Sequence, residues 1–460
     1  MDPHRLARRY MALHALDGSE ECCTLRHWRG QWWRWDGRYR ILEEETFRVA
    51  LGAALKAIID GDRLVDRNGN AYQVTTTRVN NVALALAGIV SVDESRDQPM
   101  WLKAGEDKTF LAIANGLLDL TAKTSPTLIP ASPLWFSPVR LPVRYDPAST
   151  CPRWLAFLDR VLEGDAERIA LLQEWFGYNL VFDTSYQRFM MFLGEGANGK
   201  SVVTSTLENL LGAENVSNVP LELFGDRFQL APSIGKLANI VSEVTSVSKV
   251  DEGRLKEFTA GDSMSFDRKY LTPLQTKPTA RLTIATNNLP RIGDRSEGVW
   301  RRLMLMPFNV VIPEGERDPL LTDKLKAELS GVLNWALEGL RRLQQQGHFT
   351  VPSVNTASVT EYKEESNPVK QFLDECCISE PDATYPCAHI YIQYQLWCKA
   401  RGYKPLDERQ FGKDLKRVFP KVQRNRRQEN QQRGYFYDGL KVQVPYVPEG
   451  SLPWSDSEDD

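Results

Sequence analysis

Residues Phe189-Met-Met-Phe-Leu193 form a short apolar run that reads as a buried strand, and Gly194-Glu-Gly-Ala-Asn-Gly-Lys200-Ser201 follows at once. Val202–Leu211 then takes up helical periodicity. This is G-x-x-x-x-G-K-S in the strand, loop and helix context that gives the pattern meaning. Gly194, Gly196 and Gly199 let the backbone wrap closely, so that N–H groups of the loop, Ala197 and Asn198 included, can point at phosphate oxygens. The following helix adds positive potential at its N-terminus. In such a loop Lys200 is expected to reach the β- and γ-phosphates, and the Ser201 hydroxyl to ligate Mg²⁺.

From Phe189 to about Phe308 short apolar runs alternate with helical segments, which predicts an α/β fold around a parallel sheet. Such sheets hold ligands at the carboxyl ends of their strands. The run Leu237–Val241 ends in Ser242-Glu243, which makes Glu243 a candidate to hold Mg²⁺ or activate water. The run Leu282–Thr286 ends in Asn287, able to hold a water or a γ-phosphate oxygen. Asp294-Arg295 and Trp300-Arg301-Arg302 come next, and Arg301 or Arg302 could act as a finger into a neighbouring subunit's site. Each alone could be an ordinary strand-end polar group. Between Glu243 and Asn287, Gly261-Asp262 can turn the chain, and Arg268-Lys269-Tyr270 puts two cations and an aromatic near a hairpin tip. Cations there suit backbone phosphates and the aromatic suits a base, although a solvated turn would look the same.

At 460 residues the chain is long enough for about three domains, and its 42% hydrophobic content supports sizeable cores. The net charge of −3 argues against a polycation that coats nucleic acid. No apolar run reaches the length of a membrane span, and the N-terminus lacks a signal-peptide pattern, so a cytoplasmic protein is expected. The seven cysteines show no C-x-x-C pair and read as small buried hydrophobes, with no metal predicted. Residues 25–40 alternate Trp with Arg around Asp36-Gly37 and predict a β-hairpin or meander; such interleaving could stack nucleobases, but the favoured reading puts the tryptophans on one buried face and the arginines on a wet one. Residues 100–150 read as loop-rich, with Asn115-Gly116 as a turn and many prolines. Helical periodicity runs from Trp154 through Tyr178, and again over 322–346. Pro352 and a Ser/Thr/Asn stretch to about 358 read as a linker, with a second break at Asn367-Pro368. Residues 401–442 hold 12 Lys/Arg against 5 Asp/Glu, a local +7, so the remainder carries −10. Segregation of that size suggests an anionic partner, nucleic acid first.

The ordered set Leu141-Pro-Val-Arg-Tyr-Asp-Pro147, Gly164-Asp165, the phosphate loop with Asn198, Glu243, Gly261-Asp262, Thr286-Asn-Asn-Leu-Pro290 and Trp300-Arg-Arg302 resembles the superfamily 3 helicases, specifically the primase-helicases of poxviruses, phages and plasmids. The resemblance runs from about residue 115 to about 440. It implies an AAA+ core with a helical domain before it and a winged-helix-like domain after it, working as a hexameric ring that hydrolyses ATP and threads one DNA strand 3′ to 5′. The divisions it suggests are a small α+β domain over 1–95, a helical and loop-rich domain over 96–180, the ATPase with a helical lid over 181–350, the basic winged-helix-like domain over 369–446 and an acidic, disordered tail over 447–460. By position, Lys200 and Ser201 would bind ATP and Mg²⁺, Glu243 would activate water, Asn287 would be the sensor, Arg301 or Arg302 the finger, and Lys269 the hairpin cation. The partners expected are single-stranded and forked DNA, further copies of the chain in a homo-hexameric ring, and a separate primase or other replication protein. Two departures stand out: Ser242 occupies the first acidic position of the second motif, and no paired-aspartate strand precedes Asn115, so primase activity is not expected. Two other readings remain, a nucleotide-dependent initiator or loader and a DNA-binding scaffold with a vestigial ATPase.

Overall fold

The computed structural model describes residues 2–65, 69–103, 109–121, 126–242, 250–269, 271–290, 297–365, 367–403, 405–429 and 432–443. Glu243, Tyr270, Asp294, Arg295 and the acidic tail expected over 447–460 lie outside these residues.

Helix α1 (Pro3–Ala12) starts on Asp2, whose carboxylate accepts the His4 N–H, with proline at the first helical position where its missing N–H costs nothing. Strands β1 (Leu25–Trp28), β2 (Gln31–Trp35) and β3 (Tyr39–Leu42) form the expected antiparallel meander, followed by α2 (Glu44–Gly61) and α3 (Thr76–Ile89). The single tryptophan face does not form. Trp32 and Trp33 are consecutive in a strand and must point to opposite faces. Trp32 stacks on Phe47 of α2 with centroids 3.9 Å apart, while Trp33 packs edge-on against Trp28 and Phe136 on the other side. Both faces are covered, and Arg26 and Arg38 are buried rather than wet. Arg38 donates to Asn215 Oδ1 at 3.3 Å and pairs with Glu214, which ties this sheet to the edge of the next one.

The stretch read as loop-rich carries β4 (Met100–Trp101), β5 (Phe110–Ile113), β6 (Gly116–Asp119), β7 (Thr127–Ile129) and β8 (Trp135–Phe136). The turn at Asn115 is held by its amide, which donates to the Tyr145 carbonyl at 3.0 Å and accepts the Tyr145 N–H at 2.9 Å. The helical run expected from Trp154 through Tyr178 is two helices, α4 (Pro152–Val161) and α5 (Ala166–Tyr178). Glu163 and Gly164 between them take positive φ, and Asp165 caps α5 by accepting the N–H groups of Glu167 and Arg168.

The central layer is a five-stranded parallel sheet. Its elements are β9 (Phe189–Leu193), α6 (Lys200–Leu211), β10 (Val216–Ser217), β11 (Ala238–Ser242), α7 (Glu252–Ala260), the hairpin β12 (Met264–Arg268) and β13 (Leu271–Thr276), β14 (Arg281–Thr286), α8 (Glu297–Trp300) and β15 (Leu303–Pro307). The strand order is β10-β11-β14-β9-β15, with every pairing parallel. A strand covered on both faces reads as an unbroken apolar run, and Phe189–Phe192 are all buried. The parallel α/β core expected from the alternation of runs is therefore present. Helices α9 (Leu321–Lys326) and α10 (Leu329–Gln346) follow, and α10 lies against α5. Their approach is close enough that a Cβ at Gly339 would stand 2.2 Å from the Gln173 carbonyl. The fully buried Glu174 carboxylate accepts from Arg342 Nε at 2.8 Å and from the Thr350 N–H at 2.7 Å in the same seam.

The linker expected from Pro352 to about residue 358 is instead helical: α11 covers Ser353–Glu365. Its Ser, Thr and Asn content gives weak local propensity, so tertiary burial holds it. Tyr362 is 3% exposed, meets Trp300 edge-on at 5.1 Å and donates its hydroxyl to the Pro290 carbonyl. The second break stands, with Asn367 capping α12 (Pro368–Cys376). The rest is β16 (Cys377–Pro386), α13 (Cys387–Ala400), α14 (Glu408–Val418), β17 (Gln423–Glu429) and β18 (Gln432–Val442). These strands make an antiparallel sheet in the order β16-β18-β17. Cys376, Cys377, Cys387 and Cys398 are buried in the core of this module, as small hydrophobes would be. Among the described residues no helix is long and apolar enough to cross a membrane.

Candidate functional site

The loop between β9 and α6 sits where parallel pairing collects the strand ends. Thr286 lies opposite Leu193 and Ser242 opposite Ala285, so Gly194, Ser242 and Asn287 emerge at one edge of the sheet. The loop is pressed down on its support. A Cβ at Gly194 would stand 2.4 Å from the Phe308 carbonyl, and one at Gly199 would meet Phe157 at 2.9 Å and Val161 at 3.0 Å. Gly199 also takes φ +92, and Ala197 takes φ +60. Gly196 has open space around it, so nothing steric demands glycine there.

Lys200 is 6% exposed, and burial pushes its pKa down. Its ammonium donates to the Gly194 carbonyl at 2.6 Å, the Glu195 carbonyl at 3.0 Å, Asn198 Oδ1 at 3.0 Å and Asn287 Oδ1 at 3.0 Å. Four acceptors share three N–H groups. Asn198 in turn donates from Nδ2 to the Phe308 carbonyl at 3.2 Å, so one side chain links the loop, the lysine and the end of β15. Helix α6 begins at Lys200 after Gly199, which has no side chain to cap it; Asn198 Oδ1 accepts the Lys200 N–H at 3.4 Å, and the N–H groups that follow are left for an anion. Ser201 is exposed in that turn. These residues fit a triphosphate and its divalent cation: converging donors, an uncapped helix end and a free hydroxyl.

The loop borders a cavity of about 700 Å³ lined also by Arg153, Phe157, Arg160, Ile312, Leu321 and Lys324. Arg160 pairs with Glu316, and Lys324 with Asp318 at 2.6 Å. None of these six was singled out from sequence. Only the fold brings α4 and α9 over the loop, and the one local trace is a glycine at 199 where Phe157 needs room.

Arg301 and Arg302 stand at the other end of the sheet. Leu303 pairs with Phe189, so both arginines precede the amino ends of the strands whose carboxyl ends carry Lys200. Arg302 is 8% exposed and donates to the Gly298 carbonyl and to Gln187 Oε1 at 3.3 Å. Arg301 is exposed, while its carbonyl accepts from Arg188. The expected hairpin forms, with Arg268 opposite Leu271 and Lys269 in the turn. Arg268 Nε and one terminal nitrogen donate to the Thr272 carbonyl at 3.2 and 2.9 Å, so that guanidinium closes its own hairpin. Lys269 is exposed. Gly261 ends α7 at φ +69, where a Cβ would stand 2.0 Å from Thr184 Oγ1, which fixes the base of the hairpin near the start of β9.

Three family models match the chain: one described as D5 N terminal like over residues 5–163, a family of unknown function (DUF5906) over 192–302, and one described as poxvirus D5 protein-like over 364–443. The chain is similar to "Putative helicase 022R" of Frog virus 3 (isolate Goorha), 25% identical over 241 residues, which is 46% of this chain and 24% of that protein. It is also similar to "Putative helicase L207/L206" of Acanthamoeba polyphaga mimivirus, 25% identical over 216 residues, 42% of this chain and 22% of that protein. The chain thus spans about a quarter of the length of these relatives. Among solved structures, the apo A form of the NrS-1 C-terminal region superposes with a TM-score of 0.51 at 12% identity, covering 95% of this chain and 100% of that one, and shares its fold.

Proposed function

We propose that the chain is a D5-like helicase and acts as an ATP-dependent DNA helicase serving replication of a phage, prophage or plasmid-like element, a reading supported by its matches to D5-like family models and to the viral proteins named "Putative helicase". In this reading the sheet is a superfamily 3 AAA+ core, residues 369–446 form a winged helix, and six copies make a ring that moves 3′ to 5′ on one strand in the host cytoplasm. The supporting observation is the convergence of Lys200, Asn198 and Asn287 at one strand edge beside an uncapped helix.

The N–H groups of Gly194, Gly196, Ala197, Asn198 and Gly199 with Lys200 would hold the phosphates of ATP, and Ser201 and Glu243 the Mg²⁺ ion. Bound metal supplies charge neutralisation on the transferring phosphoryl group. Lys200 leaves the Gly194 and Glu195 carbonyls to donate to phosphate oxygens, which raises positive potential where negative charge develops. Asn287 keeps the lysine aligned and senses the outer phosphate, and Glu243 activates water. Arg301, with its side chain in solvent, is the finger offered to the neighbouring copy. Arg302 holds the turn behind it. Lys269 contacts the threaded strand, with Arg268 shaping the tip and Tyr270 stacking on a base. A separate primase would supply primers.

The test is ATP hydrolysis with and without single-stranded DNA, beside unwinding of a duplex with a 3′ tail. Stimulated turnover with tail-dependent unwinding is expected. Turnover without unwinding replaces the helicase by an initiator or loader, and absence of turnover leaves a scaffold.

A further inference from the structure

The basic C-terminal module presents its cations as two adjoining surfaces. On α14, Arg409, Lys413 and Lys416 recur at i, i+4 and i+7 and are exposed, while Phe411, Leu415 and Val418 form the opposite face toward the module's core. The helix seats on the sheet at Gly412, where a Cβ would stand 3.0 Å from the Tyr437 hydroxyl. Tyr437 lies opposite Arg424, and Tyr435 opposite Arg426, so these four side chains share one face of the β17–β18 ribbon. That face begins under α14 at Tyr437 and runs out past it through Arg424, Tyr435 and Arg426, all exposed. Arg424 stacks on the Tyr435 ring at 4.2 Å, which stiffens a long side chain without neutralising it.

The other ribbon face differs. There Asp438 accepts from Asn425 Nδ2 at 2.7 Å and pairs with Arg427 at 2.6 Å. Among the described residues, Arg409, Lys413, Lys416 and Arg426 have no carboxylate within ion-pair distance. From Arg409 to Lys416 the helix covers about 10 Å, roughly three base-pair steps of a duplex. A B-form major groove is about 12 Å wide and admits one helix.

We infer that this module grips duplex DNA, with the Arg409, Lys413 and Lys416 face of α14 in the major groove and Arg424 and Arg426 on the flanking phosphates. This is a second DNA contact beside the single-strand hairpin of the proposed function. It needs no nucleotide, so it stands or falls apart from the ATPase.

The experiment is fluorescence anisotropy of the full chain without nucleotide on a blunt 20-base-pair DNA, titrated across salt concentrations. Lys413→Ala with Lys416→Ala, and separately Arg424→Ala with Arg426→Ala, should each weaken binding at least about tenfold and flatten the log–log salt slope by about two. Lys441→Ala, whose lysine is already paired to Glu380 at 2.7 Å, should change neither. Double-stranded RNA of the same sequence should bind more weakly, because its deep, narrow major groove refuses a helix. Equal binding of the two duplexes overturns the groove assignment, and unchanged affinity in both double variants overturns the surface. DNA-stimulated ATP turnover in the same preparations separates the two readings. No duplex binding by the native chain with turnover intact ends this proposal and spares the helicase, while binding without turnover does the reverse.

Discussion

The two ends of the parallel sheet carry opposite kinds of site. At the carboxyl ends, Lys200 is surrounded by acceptors from its own loop and from Asn287, and every contact closes within one chain. At the amino ends, Arg302 is spent on the Gly298 carbonyl and Gln187, while Arg301 faces solvent. A five-residue strand separates them, about 17 Å. An arginine at that remove cannot reach its own chain's phosphate loop. If Arg301 meets a transferring phosphoryl group, the group belongs to another copy. In the proposed function the first end is one half of a nucleotide site and the second is the complement of it.

Breaking the first end should have the largest effect. Lys200→Ala is expected to lower ATP turnover by about 10³-fold or more, with the sheet intact because the loop keeps Gly194, Asn198 and Gly199 on their supports. Retained turnover in a steady-state assay would remove the loop from the account. Arg301→Ala should lose turnover on a comparable scale while binding nucleotide normally in an equilibrium titration. Mixing the two inactive variants should restore part of the activity, since an Arg301→Ala subunit keeps its lysine and a Lys200→Ala neighbour keeps its arginine. A mixture that co-assembles and stays dead would refute the division between the ends.

Arg302→Ala sharpens the same contrast by a smaller amount. Its removal takes away the hydrogen bonds it donates to the Gly298 carbonyl and Gln187, so stability should fall by about 1–3 kcal/mol in denaturant unfolding. Turnover measured well below the unfolding transition should change little. If stability holds and turnover collapses, Arg302 rather than Arg301 is the finger.

Much of the first end was legible in the sequence because it is local: five apolar residues, three glycines and a lysine fix a strand, a tight loop and a helix within 23 positions. The sheet's parallel character followed from short apolar runs alternating with helical segments along the chain. What escaped depends on distant partners. Trp32 and Trp33 looked like one face only while the sheet was assumed to have a wet side; α2 and Phe136 cover both. Pro352 and the Ser/Thr/Asn stretch to about residue 358 looked like a linker, and Ser353–Glu365 is a helix because Tyr362 finds a buried place against Trp300. Strand β17 has no apolar residue to announce it and exists through its pairing with β18. Arg301 and Arg302 are adjacent and chemically alike, and only the turn after α8 sends one inward.

Tyr362 spans the two ends, which makes it the finest probe of their independence. Its hydroxyl holds the Pro290 carbonyl, three residues after Asn287, and its ring holds Trp300, the residue before Arg301. Burial pushes the phenol's pKa up, so it remains a donor wherever the chain is folded. Tyr362→Phe keeps the ring and removes one hydrogen bond, which should cost about 1 kcal/mol of stability. With the ends acting separately, turnover should fall by no more than about fivefold, the factor that 1 kcal/mol allows, and nucleotide affinity should not move. A loss of turnover well beyond the loss of stability, with affinity unchanged, would mean that Tyr362 carries the state of the Asn287 segment to Arg301, and that the two ends of the sheet are one coupled device.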